Sequence, residues 1–343
     1  MQLVSRAGVD AHDYPGRQQA LAEAIRLCAE LLADDSSDAD RTAKQLLGDL
    51  RIAVKPPPDS RGGGVRGATA PRLPLTLTAS GLETCTECPR RYYYRSVLGI
   101  GDSRTASSSL GSATRRAVKR LHTNRPAATA DAKDELLALF AEEAAGIEFV
   151  SRKEREQALE RGREVLTQYL CEEAARASEI QRIEIDKAFS FRLTEDVALG
   201  GQWDRLDELT DGRVRIVIYR SSALDSRPGY LRGFRVPLYA LAAREVTRRP
   251  LAAVEVINLR ELKENKTQGV HIERQVLPWD DGSQYFLDEK RLIELRSEIL
   301  AVAQTIRAGT FDPVPEEERC GQCGFRLLCD SAWGTDERVE RSS

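Results

Sequence analysis

The chain lacks a strong excess of charge of either sign. Its formal net charge is −3 over 343 residues, so a nucleic-acid partner is not announced by overall charge and has to be argued from local patches. No apolar run approaches the roughly 20 residues that a membrane-spanning helix needs. The opening stretch MQLVSRAGVDAHDYPGRQQ has no hydrophobic core of a secretory signal. The expectation is a cytoplasmic protein with no membrane partner, in which disulfides are not expected. No Gly-Lys-Ser/Thr follows the glycine run in RGGGVRG, and no such motif occurs elsewhere, so no recognisable P-loop ATPase is present. There is no internal repeat. With 41% hydrophobic and 31% charged residues, the composition is that of a folded chain rather than a disordered one.

What is present divides the chain into four parts. Residues 1–54 form a helical N-terminal segment in which Leu21, Ala24, Ile25, Cys28 and Leu31 recur at helical spacing. Residues 55–75 are a Pro/Gly-rich linker, whose RGGGVRG reads as solvated chain. Residues 76–334 form one continuous domain, and 335–343 a tail. Within the domain, spacing predicts helices over 80–98, 108–122, 131–178, 235–248 and 285–308. Strands are expected over 182–193, 197–209, 213–220 and 252–260. Helices, a strand meander, then helix, strand and helix suggest an α/β core with helical decoration.

Seven cysteines in a reducing compartment need an explanation. Cys28 and Cys171 lie in helical patterns and read as small buried hydrophobes. The other five are grouped: Cys85 and Cys88 in ETCTECPRRYYYR, and Cys320, Cys323 and Cys329 in ERCGQCGFRLLCD. Thiolates are soft ligands, and two on one tight turn are held together for a metal. Zinc could take Cys85, Cys88, Cys320 and Cys323; a [4Fe–4S] cluster could take Cys88, Cys320, Cys323 and Cys329. Spacing alone leaves both open.

The stretch LTASGLETCTECPRRYYYRSVLGI, with AGTFDPVPEEERCGQCGFRLLC at the other end, resembles the RecB/AddB-like iron–sulfur nucleases of the PD-(D/E)XK superfamily. The resemblance spans about residues 76–334. It implies a restriction-endonuclease-like core sheet flanked by helices. It also implies a 4Fe–4S cluster on Cys88, Cys320, Cys323 and Cys329 that clasps the two ends of the domain, with Tyr92 to Tyr94 packing near it. Such nucleases hold catalytic metal ions on carboxylates from a Gly-x-x-Asp-Arg-x-Asp strand and an Asp-Tyr-Lys strand.

In this sequence the first of those strands carries Gly201, Asp204, Arg205 and Asp207, but the second ends Ile218, Tyr219, Arg220. A three-residue loop Thr210-Asp211-Gly212 would pair Leu209 with Arg213, Asp204 with Ile218 and Gln202 with Arg220, bringing the site positions to one face. A two-residue Asp-Gly turn would shift that pairing by one. Isoleucine cannot bind Mg²⁺, and arginine does not deprotonate, so productive Mg²⁺ binding is not expected. The family's helix histidine is Arg115 here and its helix glutamine is Arg235, with Tyr239 kept. Of the site, only Asp204 and Tyr239 survive, as vestiges. His122, on the face of Arg115, reads as a solvated helix histidine.

The leading expectation is a catalytically inactive module of DNA recombination or break repair. It would bind single- or double-stranded DNA through Arg115, Arg220 and Arg235, extended by Arg116, Lys119 and Arg120. With no motor in the chain, a separate helicase subunit is the implied partner. Asp204 could instead pair with Arg220 or Arg115 in an internal ion-pair network. Two other readings stand beside it: an active exonuclease with a relocated site using Glu184, Asp207 or Asp225, and a zinc-clasped interaction module.

Overall fold

The structure, a computed structural model, describes residues 74–100, 106–125, 130–220, 233–259, 272–279 and 287–333, together with 42, 45 and 46. The expected helical segment, most of the linker, the tail, Cys28 and Asp225 lie outside the described residues. In chain order the elements are β1 (Leu75–Leu77), α1 (Ala79–Glu87), α2 (Pro89–Tyr92) with a π-helical turn (Tyr93–Val97), α3 (Ala106–Asn124), α4 (Lys133–Ala144) and α5 (Arg152–Arg176). Then come β2 (Ile180–Ile185), β3 (Ala188–Arg192), β4 (Val197–Gln202), β5 (Arg205–Leu209), β6 (Val214–Arg220) and α6 (Arg235–Thr247). The last are β7 (Leu251–Asn258), β8 (Glu273–Pro278), α7 (Glu289–Ala308) and α8 (Glu317–Gly321). The chain divides into two compact units: residues 1–72, 81–103 and 300–343 in one, 73–80 and 104–299 in the other.

Local chemistry decides where the expected elements break. The helix expected over 80–98 stops at Cys88, whose backbone is extended, and restarts with Pro89 at its first position, where the missing N–H costs nothing. The helix expected over 131–178 is two, because Ser151 caps α5 by accepting the Glu154 N–H at 3.1 Å. The strand expected over 182–193 breaks at Asp186, whose φ of 51° lies in the left-handed region. The strand expected over 197–209 breaks after Gln202. These two breaks divide the meander between two sheets, a three-stranded one in the order β1-β4-β3 and a five-stranded one in the order β2-β5-β6-β7-β8. Strands β1 and β8 were not anticipated; three and six residues respectively, they are too short to show a period.

The five-stranded sheet sets the position of the site. Strand β6 is its centre, paired antiparallel with β5 and parallel with β7. Its residues from Val214 to Tyr219 are all buried, which explains a near-continuous apolar run where an exposed strand would alternate. The parallel step from β6 to β7 passes through α6, which packs on β3, β6 and β7. Val217, Tyr219 and Ile257 of the sheet share a core with Val118 and Leu121 of α3, Leu136 and Phe140 of α4, and Leu166 and Tyr169 of α5. The mixed sheets flanked by helices match the expected α/β class. Among the described residues no helix is long and apolar enough to cross a membrane.

Candidate functional site

The β5–β6 hairpin has the expected register. Leu209 N–H donates to Arg213 O at 2.8 Å, Gly212 takes φ 84°, and Arg205 and Asp207 stand opposite Val217 and Arg215. Beyond Arg205 the ladder ends. Gln202 is therefore not opposite Arg220 as expected; it pairs with Ala188 in the other sheet, because the chain changes sheets at Trp203.

Asp204 sits at that change, and both its carboxylate oxygens are taken by donors of the chain. Oδ2 accepts the Tyr219 N–H at 3.0 Å, and Oδ1 lies 2.6 Å from Lys119 Nζ. Lys119 also donates to Asp186 Oδ1 at 2.6 Å. Burial alone would lower the Lys119 pKa, but the facing Asp204 and Asp186 carboxylates outweigh it and raise it. The cation closing on Asp204 is thus a helix lysine, where Arg220 or Arg115 had been expected. Ile218 is 1% exposed and offers no oxygen. Arg220 ends β6 beside Asn258 of β7.

The remaining site positions are spread over helices. Arg115 is half-buried on α3, and Arg235 opens α6. Tyr239, one turn further on, sets its ring edge-on to Phe189. Arg116 and Arg120 point at α4, where Arg116 Nε lies 2.5 Å and Arg120 NH1 3.0 Å from Glu143, and Arg120 NH2 2.9 Å from Glu142. Glu184 accepts from Lys187 at 3.0 Å.

Asp207, three residues from Asp204, belongs to a different structure. It is fully buried and accepts from Arg205 at 2.5 and 3.0 Å and from Arg215 at 2.8 and 3.0 Å. Arg205 reaches on to Glu173 at 2.5 Å, and Arg274 joins Glu173 to Glu255 at 2.6 and 2.7 Å. Arg176 completes Glu255 at 2.7 Å. The Arg205 and Arg274 guanidiniums outweigh the burial of the Glu173 carboxyl and hold its pKa down to about 2. His122 is part of this cluster, and the solvated histidine expected at that position is corrected. It is 2% exposed, with Nε2 2.6 Å from Tyr169 Oη and 3.2 Å from Arg205. Burial, helped by Arg205, pushes its pKa down to about 3 and keeps the ring neutral. Sequence reasoning missed this network. Its signal was charge inside an apolar strand: Arg215 between Val214 and Ile216, facing Arg205 and Asp207 across a hairpin.

In the other unit, Cys88, Cys320, Cys323 and Cys329 line one open cavity. Two stretches of chain far apart in sequence meet there. Arg90 Nε donates to Phe311 O at 2.9 Å, Tyr94 Oη to Leu328 O at 3.3 Å, and the rings of Tyr93 and Tyr94 lie 5.0 and 5.7 Å from those of Phe311 and Phe325. The three tyrosines are buried, as expected. Cys85 is 3% exposed, and burial, with Cys88 nearby, pushes its thiol up to about 11; burial raises the Cys329 thiol as well. None of these cysteines is in a disulfide. Among the described residues no three of His, Cys, Asp and Glu stand close enough to hold one metal ion. Cys171 is exposed on α5, against the expectation of a buried hydrophobe.

The family model described as PD-(D/E)XK nuclease superfamily matches residues 76–330. The chain belongs to the PD-(D/E)XK nuclease superfamily. The match runs from β1 to the terminal cysteines and so takes in both the hairpin and the cavity. None of the curated proteins compared with it matches. A solved structure, the crystal structure of SSO0001, is 10% identical and covers 85% of this chain and 97% of that one at a TM-score of 0.33, which carries no argument. Within this PD-(D/E)XK fold, Asp204 immediately precedes the first hairpin strand, and the facing strand meets it with the Tyr219 N–H.

Proposed function

We propose that this PD-(D/E)XK chain is a RecB/AddB-type iron–sulfur module that no longer cleaves DNA. It binds DNA, or holds it for a separate helicase, in recombination or break repair. The observation that carries this reading is the state of Asp204. Its oxygens are filled by Tyr219 N–H and Lys119 Nζ, and the buried Ile218 supplies no second ligand. A metal-assisted phosphodiester cleavage needs oxygen ligands to hold the ion and polarise the phosphate, and this strand end supplies too few.

Two of the candidates for a relocated site, Asp207 and Glu184, do not favour the active alternative. Asp207 is enclosed by two arginines, and Glu184 is paired with Lys187. The cavity cysteines fit a 4Fe–4S cluster in their chemistry and grouping: four thiols from two segments of one unit share a cavity that Cys85 does not line. Such a cluster supplies a cross-link between the segments, not a reaction step. The chain's own residues already bring those segments together through Arg90, Tyr94 and Phe311. The test is degradation of labelled DNA by anaerobically purified protein with Mg²⁺ or Mn²⁺. No cleavage is expected; cleavage that vanishes in Asp204→Ala overturns the reading.

A further inference from the structure

The cysteine cavity is lined by four guanidiniums as well as by four thiols. Arg90, Arg91, Arg319 and Arg326 all border it, and among the described residues no aspartate or glutamate does. Three of these cations are paired with carboxylates outside the lining. Arg90 NH1 lies 3.4 Å from Asp330, Arg91 NH1 3.6 Å from Glu87, and Arg319 NH2 2.6 Å from Glu316. Arg326 differs. Its NH2 donates to the Trp333 carbonyl at 3.3 Å, it has no carboxylate partner among the described residues, and its Nε is buried with no hydrogen-bond partner there. Its backbone is held, since its N–H donates to Cys323 O at 3.0 Å within the turn that leads from Cys320 to Cys329. A buried guanidinium N–H without an acceptor costs free energy unless a bound group satisfies it.

We infer that Arg326 is the counter-charge of the iron–sulfur cluster proposed for this cavity and raises its reduction potential. The inference rests on that reading and goes beyond it, from a cross-link to a group whose charge state the chain controls. A 4Fe–4S core held by four thiolates is an anion, and reduction adds one more negative charge. Its potential is set by net charge, by hydrogen bonds to sulfur and by exposure. A fixed cation favours the more negative form, and it acts most strongly where no carboxylate cancels it. Among the lining arginines, Arg326 meets that condition. The step moves one electron from a reductant such as dithionite to the iron atoms, and no bond to cysteine forms or breaks. Arg326 is thus a positioning residue, not a ligand.

The experiment is an anaerobic redox titration of the full chain, with the reduced cluster read by electron paramagnetic resonance and iron content measured alongside. The parent should be reduced by dithionite or photoreduced deazaflavin. Arg326→Met removes the charge and should lower the reduced-to-oxidised ratio at a fixed potential by about tenfold, a shift of about 59 mV for one electron. Arg326→Lys keeps the charge and should retain most of the parental potential. Arg319→Met, whose charge Glu316 already offsets, should move it much less. If Arg326→Met assembles no cluster, Arg326→Gln is the second neutral variant. An iron–sulfur parent that resists both reductants, or neutral variants with the parental potential, overturns the inference. So does a fall in Arg326→Lys or Arg319→Met as large as that in the neutral variants, or loss of iron from both of those, which would make Arg326 a structural residue. Each of these leaves the cluster reading standing. A parent that carries zinc and no iron ends the cluster reading, and this inference with it.

Discussion

The cysteine cavity and the end of the β5–β6 hairpin differ in what the chain has kept. At the cavity four thiols stand among apolar, hydrogen-bonded and ion-pair contacts that join two segments of the chain. At the hairpin end the oxygens of Asp204 are occupied by the Tyr219 N–H and by Lys119, which also holds Asp186. The physical difference lies in what each site does for the folded state. A clasp that joins distant segments stabilises the fold whatever the protein does. A cluster of catalytic carboxylates opposes it, since like charges repel and gain nothing until a metal arrives. On the proposed reading, in which the chain does not cleave, Ile218 and the Lys119–Asp204 pair stabilise the fold where a second acidic ligand would oppose it.

The comparison breaks first at the buried network, where the largest effect is expected. Asp207→Asn leaves Arg205 and Arg215 buried with only part of their counter-charge, and should cost about 3–5 kcal/mol in chemical denaturation. Asp204→Asn retains an acceptor for Tyr219 N–H and should cost about 1 kcal/mol. Equal losses would mean that the strand end is as structural as the network. At the clasp, Cys88→Ser or Cys329→Ser should bleach a brown, anaerobically purified protein of roughly four irons per chain and destabilise it by about 2–4 kcal/mol. Cys85→Ser should leave colour and iron unchanged. One zinc with no iron, lost in Cys85→Ser, would remove the cluster from the account.

Acid sharpens the contrast within the network. An unfolded histidine titrates near about 6.5, whereas folded His122 does so at about 3. Between those values the unfolded chain binds the extra proton, so stability falls as pH drops through that window, by up to about 1.4 kcal/mol per unit. Glu173 has a folded pKa of about 2, so its contribution is present above the ordinary carboxylate range and is lost only as pH falls toward 2. Among the described residues, His122 is the histidine that contributes to the slope from pH about 6 to 5. His122→Asn should flatten urea-derived stability over that interval, and an unchanged slope would place the titrating group elsewhere.

Much of the architecture was legible because it follows from short-range chemistry. Pro89 and Gly212 act locally, and the apolar run of β6 reports burial on both faces. The hairpin register followed from its loop as far as Arg205 opposite Val217. The sheet change at Asp186 and Trp203 was not legible, because strand alternation continues on either side of a break that long-range pairing imposes. For the same reason Lys119 was taken as a link in a basic track rather than as the partner of Asp204: its acceptors lie 67 and 85 residues away, and nothing in α3 announces them. His122 was misread because its helical neighbours are charged, while the residues that bury it come from α5 and the sheet.

The smallest effect concerns the arginines of the proposed DNA cradle. If Arg115, Arg220 and Arg235 cradle a phosphodiester backbone, binding should be indifferent to base sequence, because phosphate contacts position DNA without reading it. Each arginine engages phosphate through a planar fork and releases condensed counterions, so each alanine substitution should reduce the slope of log affinity against log salt by about one. Arg116, Lys119 and Arg120 provide the internal control. Their charges already face Glu142, Glu143, Asp186 and Asp204, and a cation that must leave a carboxylate to reach a phosphate gains little by the exchange. Salt titrations on single- and double-stranded DNA should therefore show a reduced slope in the Arg115/Arg220/Arg235 triple alanine variant and almost none of that reduction in Arg116→Ala or Arg120→Ala. A folded triple variant that binds with parental affinity and slope ends the cradle proposal and leaves these arginines as internal partners of the fold.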